Sequence, residues 1–185
     1  MLLNFAEAKA ELGALSAGDW NNTIGALRTR AGITNNGMPA TADTYLQTNF
    51  FPDVTDAVIL EIRRERGIEY AGEGYRYDDL KRWKAGKLLE KVYTGIYIPG
   101  KDQLLDLNED GKKDVCFVDV LPSVKVPGVT YFLLDNNTSK LSEGSKGNLL
   151  WLSNTPKNFA DKKYFAPIPP NEITLNPNLD QNKDW

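Results

Sequence analysis

Residues 61–83 read EIRRERGIEYAGEGYRYDDLKRW, a stretch in which acidic and basic side chains alternate at helical spacing. Glu61, Glu65 and Glu69 stand at i, i+4 and i+8 and so share one helical face. Val58 and Ile62, widened by Ile59, supply an apolar stripe, and together these patterns predict a helix over about 54–71. Gly72 and Gly74 break it, and a second helix over about 75–85 carries Tyr75, Leu80 and Trp83 and ends at Gly86. Arg64, Arg76 and Arg82 are placed to meet the glutamates bidentately. A chemical reading would make the carboxylates an acid/base pair or a di-metal helix. The di-metal arrangement wants a Glu-x-x-His pair, and the chain has no histidine. The expectation is an ion-paired helix junction with Trp83 and Tyr75 in the core rather than serving as a sugar platform.

Working outward, residues 1–13 and roughly 19–31 read as two helices joined by a short link, which predicts an antiparallel hairpin. Leu3, Ala6 and Ala10 share one face, as do Ile24, Leu27 and Ala31. Gly13 and Gly32 sit where C-caps are expected, and Asp19 is the expected N-cap. Residues 33–52 read as a polar loop. The opening Met1-Leu2-Leu3-Asn4-Phe5 has no cap before it and reads as the middle of a helix, the expectation being a chain begun inside a larger protein. Beyond residue 92 the helical period gives way to short β-prone runs: Gly95–Ile98, Val115–Val120, Val129–Leu134, Leu149–Leu152 and Tyr164–Ile168. A Pro/Asn-rich tail runs from Pro167 to Trp185.

Composition narrows the function. The chain has 185 residues, enough to bury roughly 70% of its unfolded surface and form a sizeable core. A net charge of −3, with Arg63, Arg64 and Arg66 interleaved among glutamates, gives no basic face for nucleic acid or an anionic membrane. Without histidine, Ser-His-Asp and Cys-His mechanisms are excluded. Cys116, the sole cysteine, forms no internal disulfide and lies in the apolar run Val115–Val118, where it reads as a small buried hydrophobe. No segment approaches the ~20 apolar residues of a membrane span, and Glu7, Lys9 and Glu11 interrupt any signal-peptide core. The Asn-x-Thr triplets at Asn21 and Asn136 are read as accidental.

Four segments carry a family resemblance. The 61–83 stretch resembles the ERRxEL…EGhRxxDLxRW pattern of the SusD/RagB family. The ending YFAPIPPNEITLNPNLDQNKDW resembles that family's closing pattern, a Pro-Ile-Pro turn before NP-x-L-x-QN and a terminal tryptophan. LLNFAEAKAELG and TIGALRTRAGI match its "AEA…ELG" and "LRxRAG" helices. Gly67 within the arginine run and Tyr75 in place of the usual histidine depart from the pattern, and residues 87–163 match nothing in it.

The resemblance implies a mainly α fold, a tetratricopeptide-like α–α superhelix with a long irregular C-terminal region carrying short strands. It implies one C-terminal domain over 1–185, divided into a helical hairpin (1–32), the 61–83 helices and their flanks (53–91), a variable region (92–163) and the tail (164–185), with the N-terminal half of the parent protein upstream. It also implies no enzyme activity. The expected function is capture of glycans or other nutrients on the outer face of a Gram-negative outer membrane and delivery to a SusC-like TonB-dependent transporter, with a lipid anchor upstream as the only membrane link. A two-carboxylate glycoside hydrolase and a helical-repeat adaptor for a protein partner are the rivals.

Two further features are candidates for sites. Asp106-Leu-Asn108-Glu-Asp110-Gly111-Lys112-Lys-Asp114 sets oxygen ligands at positions 1, 3, 5 and 9 with glycine at 6, resembling a calcium loop in which the Lys112 carbonyl adds a ligand. Position 12 is Phe117 rather than a bidentate Glu, and the plain alternative is an Asx-type turn joining two strands. No cofactor is expected beyond such a structural Ca2+. For a sugar ligand, Trp151, Tyr131 and Tyr97 in the variable region are the candidate stacking residues.

Overall fold

A helix leaves its first N–H groups unpaired, and short oxygen-bearing side chains cap the helices that begin at Ala17, Thr44 and Ala57. Ser16 Oγ accepts from Asp19 N at 3.1 Å while Asp19 Oδ2 accepts from Ser16 N at 3.0 Å, a reciprocal capping box. The N-cap is therefore Ser16 rather than Asp19, since the pair satisfies two donors where a lone Asp19 cap would satisfy one. Asp43 and Asp56 cap the two helices that follow. The computed structural model describes residues 1–34 and 37–185. Its elements are α1 (Leu2–Glu11), α2 (Ala17–Trp20), a π-helical turn (Asn21–Gly25), α3 (Ala26–Arg30), α4 (Thr44–Asn49), α5 (Ala57–Glu69), α6 (Tyr75–Arg82), a 3₁₀ turn (Gly86–Glu90), β1 (Thr94–Ile98), β2 (Leu104–Leu105), β3 (Val115–Val118), β4 (Thr130–Leu133), β5 (Ser139–Leu141), β6 (Gly147–Trp151), a second 3₁₀ turn (Asp161–Tyr164) and α7 (Pro170–Leu175).

The chain divides into two compact units, Met1–Leu88 with Tyr164–Trp185, and Leu89–Lys163. In the first, α2, the π turn and α3 run on as one helix beside α1. Leu3 and Ala6 of α1, Trp20, Ile24 and Ile62 of α5 form one buried cluster. Leu60, two residues before Ile62, faces a second cluster with Leu46 and Phe51, packed by Trp83, Ala85 and Leu88. α5 is thus buried on two sides, which is why its stripe is broad and its charged residues are drawn inward as well. Gly13 and Gly32, at φ +62° and +74°, end the hairpin helices in the left-handed region that glycine adopts without strain.

In the second unit, β1, β6 and β5 form one antiparallel sheet in that order, and β2, β3 and β4 form another in which β3 and β4 run parallel. Ile98, Leu141 and Leu149 of the first sheet meet Val115, Phe117 and Leu134 in a shared core. Cys116 is buried in β3, and burial, with the charge of Asp102 adding to it, raises its thiol pKa.

The helices are present, but the tetratricopeptide-like superhelix expected from them is not clearly seen. The chain is mixed, 36% helix and 13% strand with small sheets. One hairpin packs on α5, whose apolar surface is split between two clusters. Tyr164–Ile168, expected as a strand, instead ends a 3₁₀ turn and continues without regular structure. α7, unforeseen in the tail, starts with Pro170 at its first position, where a missing N–H costs nothing.

Candidate functional site

The most concentrated chemistry lies between α1, α3, α5 and α6. Arg66 forks onto Asp79, Nε to Oδ2 at 2.9 Å and Nη2 to Oδ1 at 2.8 Å, and reaches Asn4 Oδ1 at 2.7 Å through Nη1. Arg82 donates to Asp79 Oδ1 at 2.9 Å and to Glu7 Oε2 at 2.6 Å, and the Trp83 indole N–H donates to Glu7 Oε1 at 2.7 Å. One helical turn away, Arg28 spans Glu61 and Glu65, and Arg64 joins Glu61 to Asp43. Arg30 pairs with Glu69. Burial tends to raise the Asp79 pKa, but the hydrogen bonds and charges of Arg66 and Arg82 outweigh it and hold this carboxyl below the usual carboxylate range. A carboxylate so held is no general acid at neutral pH.

The partners differ from those the spacing suggested. Arg64 meets Glu61 as expected, but Arg82 turns to Glu7 and Asp79, and Arg76 lies against the Trp83 ring, its guanidinium carbon 5.9 Å from the centroid. A Cβ on Gly67 would come within 3.3 Å of Arg76 Nη1, so the glycine in the arginine run leaves that side chain its room. Arg63 lies between Phe51 and Trp83, 5.3 and 4.8 Å from the ring centroids. Trp83 is packed as expected, whereas Tyr75 is half exposed and touches Tyr70.

The expected sugar-stacking residues lie apart. On β1, Tyr97 stands opposite Asn148 of β6. Its neighbour Ile98 points into the core, so Tyr97 points away from it, 56% exposed. Trp151, 58% exposed, ends β6 opposite Ser139 and shares the parity of core-facing Leu149. Tyr131 lies on β4 opposite Cys116, in the other sheet, and its hydroxyl accepts from Val126 N at 3.2 Å. Tyr97 and Trp151 thus take opposite faces of one sheet, and Tyr131 takes the second sheet.

In the Asp106–Asp114 loop the side chains turn onto the backbone. Asp106 accepts from Asp110 N and Gly111 N, Asn108 from Asp110 N, Asp110 from Lys112 N at 2.9 Å and Asp114 from Leu107 N. The Asn108–Asp110 and Asp110–Lys112 bonds are Asx turns, the Asp106 and Asp114 carboxylates clamp more distant N–H groups across the loop, and Gly111 supplies the left-handed residue at φ +84°. Among the described residues, no three His, Cys, Asp or Glu side chains are grouped so as to hold a metal ion.

Sequence reasoning missed Glu7, Arg28 and Asp79 as members of the charged cluster. A signal for Glu7 existed: it adjoins Ala6 on the face that Leu3 and Ala10 turn to the core, and an acid in that position requires a cation beside it. Nothing local marked Arg28, whose partners lie 33 and 37 residues away.

Among the described residues no helix is long and apolar enough to cross a membrane. No curated protein and no solved structure matches the chain. The family model of the SusD family matches residues 1–185 and takes in both the ion-paired helices and the amide-rich tail. The chain belongs to the SusD family.

Proposed function

We propose that this protein captures glycans or other nutrients at the outer face of a Gram-negative outer membrane, without altering them, and hands them to a SusC-like TonB-dependent transporter, the full-length protein being held there by a lipid anchor. The observation that carries this reading is the family match over residues 1–185. The SusD family is associated with glycan binding at the cell surface, and its members are generally non-catalytic. The charged cluster supports the same reading, because its buried carboxylates are bonded to guanidiniums and the indole rather than left for acid–base work. In this reading the helices and tail are scaffold, and the region over about 92–163 supplies ligand contacts.

Titration calorimetry against a panel of neutral and acidic oligosaccharides, with a reducing-end assay on the same samples, tests it. Saturable binding with no new reducing ends is expected. New reducing ends would make the protein a glycoside hydrolase, and recovery of a protein partner unaffected by any sugar would make it an adaptor.

A further inference from the structure

The register of the β1–β6–β5 sheet sorts its side chains without ambiguity. Ile98 opposite Gly147 and Leu141 opposite Leu149 lie on the core side. Tyr97 opposite Asn148, and Lys140 opposite Leu150, therefore share the other face. Thr94 also pairs with Leu150, so Thr94, Leu150 and Lys140 make one rung and Tyr97 and Asn148 the next. A bulge between Thr94 and Tyr97 sets the spacing of the two rungs on β1.

Three groups on this face have capacity to spare. The Tyr97 ring is more than half exposed. The backbone of Asn148 is engaged with Ser142, but its carboxamide takes no partner among the described residues. The Lys140 ammonium donates to Asn154 Oδ1 at 2.6 Å, and no carboxylate pairs with it among the described residues. Lys101 and Lys146 of the same unit differ, being paired with Asp119 and Glu143. Strand spacing and rise put Tyr97 and Lys140 about 12 Å apart, two strands across and two residues along. That is the reach of a short oligosaccharide laid across the sheet.

We propose that the outer face of the β1–β6–β5 sheet binds carboxylated sugars, Tyr97 stacking on one ring, Asn148 bonding its hydroxyls and Lys140 pairing with a uronate carboxylate. The chemistry follows from the groups present. An aromatic face fits the C–H face of a pyranose, a carboxamide both donates to and accepts from neighbouring hydroxyls, and an ammonium held by a neutral amide keeps its full charge for an anion. The proposal rests on the glycan-binding reading above and narrows it to a surface and a sugar class.

The test is calorimetry of the 185-residue chain with oligogalacturonate, oligoalginate and glucuronate-bearing xylan fragments, each beside its carboxyl-reduced counterpart. At least one acid oligomer is expected to bind more tightly than its reduced form. Lys140→Gln is expected to erase that difference, a loss of about three- to fivefold, the worth of an exposed ion pair. Tyr97→Ala is expected to weaken both forms by roughly tenfold. Lys146→Gln, which removes a lysine already paired, is the control and should change nothing. Melting temperatures of all variants should match the parent. An acid preference that survives Lys140→Gln, or binding untouched by Tyr97→Ala, overturns this surface while leaving glycan capture standing. Failure of every neutral and acidic glycan to bind the full-length protein would remove the glycan-binding reading itself.

Discussion

The helical unit and the sheet unit carry charge in opposite ways. In the first, Glu7, Arg28, Glu61, Glu65, Arg66 and Asp79 are all buried and paired among themselves, with Arg64, Arg82 and the Trp83 indole completing the set. In the second, among the described residues, the buried side chains are apolar apart from Ser139, while charged groups and several aromatics stand on the surface. A buried ion pair tolerates no loss of a partner, because the remaining charge has neither water nor counter-charge. An exposed lysine or tyrosine is replaceable at small cost to the fold. The contrast therefore separates residues whose change alters stability from residues whose change alters recognition, and it can be broken or sharpened by experiment.

The largest effect is expected in the helical unit. Arg66→Ala strips Asp79, which is 3% exposed, of its fork and should cost roughly 3–5 kcal/mol in urea unfolding. Arg28→Ala, which strips Glu65 of its guanidinium and leaves Glu61 with Arg64 alone, should behave alike. Arg66→Lys keeps the charge but cannot fork and should recover only part of the loss. Parent-like urea midpoints for these variants would dissolve the contrast. The same cluster sets an acid limit. The folded-state pKa of Asp79 lies below its unfolded value, so its contribution is complete above the ordinary carboxylate range and is lost as pH falls through the lowered folded value. Acid unfolding of the parent should show this loss below about pH 4, and Asp79→Asn, already destabilised, should show a shallower acid limb.

Next in size is the tail. The sequence suggests that Leu179 and Trp185 anchor it by burial, but Trp185 is 45% exposed. The tail is instead fastened by side-chain amides: Gln181 accepts from Ile168 N at 2.7 Å and donates to its carbonyl at 2.9 Å, Asn182 donates to Ala166 O, and the Trp185 indole donates to Phe165 O at 3.0 Å. A chain ending at Leu175 should lose about 2–4 kcal/mol, and Gln181→Ala alone about 1–2 kcal/mol. A larger effect from Trp185→Ala than from Gln181→Ala would restore burial as the fastening.

The smallest effect is expected at the Asp106–Asp114 loop. Its oxygens already accept backbone N–H bonds, so melting curves in chelator and in millimolar calcium should coincide. A rise with calcium that Asp110→Ala abolishes would instead place a cation there, as the residue order suggests.

Legibility in the sequence followed the range of the interactions. α5 and α6 could be read from their own local pattern, within a few residues of their ends, although of the stripe Val58, Ile59 and Ile62 only Ile62 is fully buried and Leu60 faces a second cluster. β1, β3, β4 and β6 could be read as apolar runs between turn residues. The sheets could not, because the parallel pairing of β3 with β4 and the placing of β6 between β1 and β5 depend on contacts distant in the chain. The same limit applies to the sites. Tyr97 and Trp151 read alike as aromatics in β-prone runs, and only the register puts them on opposite faces. Arg64 paired within one turn as read, whereas Arg82 answered to Glu7, 75 residues away.

The division between scaffold and recognition is tested most directly by measuring stability and glycan affinity on the same preparations of Arg66→Ala and Tyr97→Ala. Arg66→Ala is expected to lose most of its urea stability, while Tyr97→Ala keeps the parent melting temperature and loses affinity. An Arg66→Ala protein that folds like the parent yet no longer binds glycan would contradict this account and move the binding site onto the ion-paired helices.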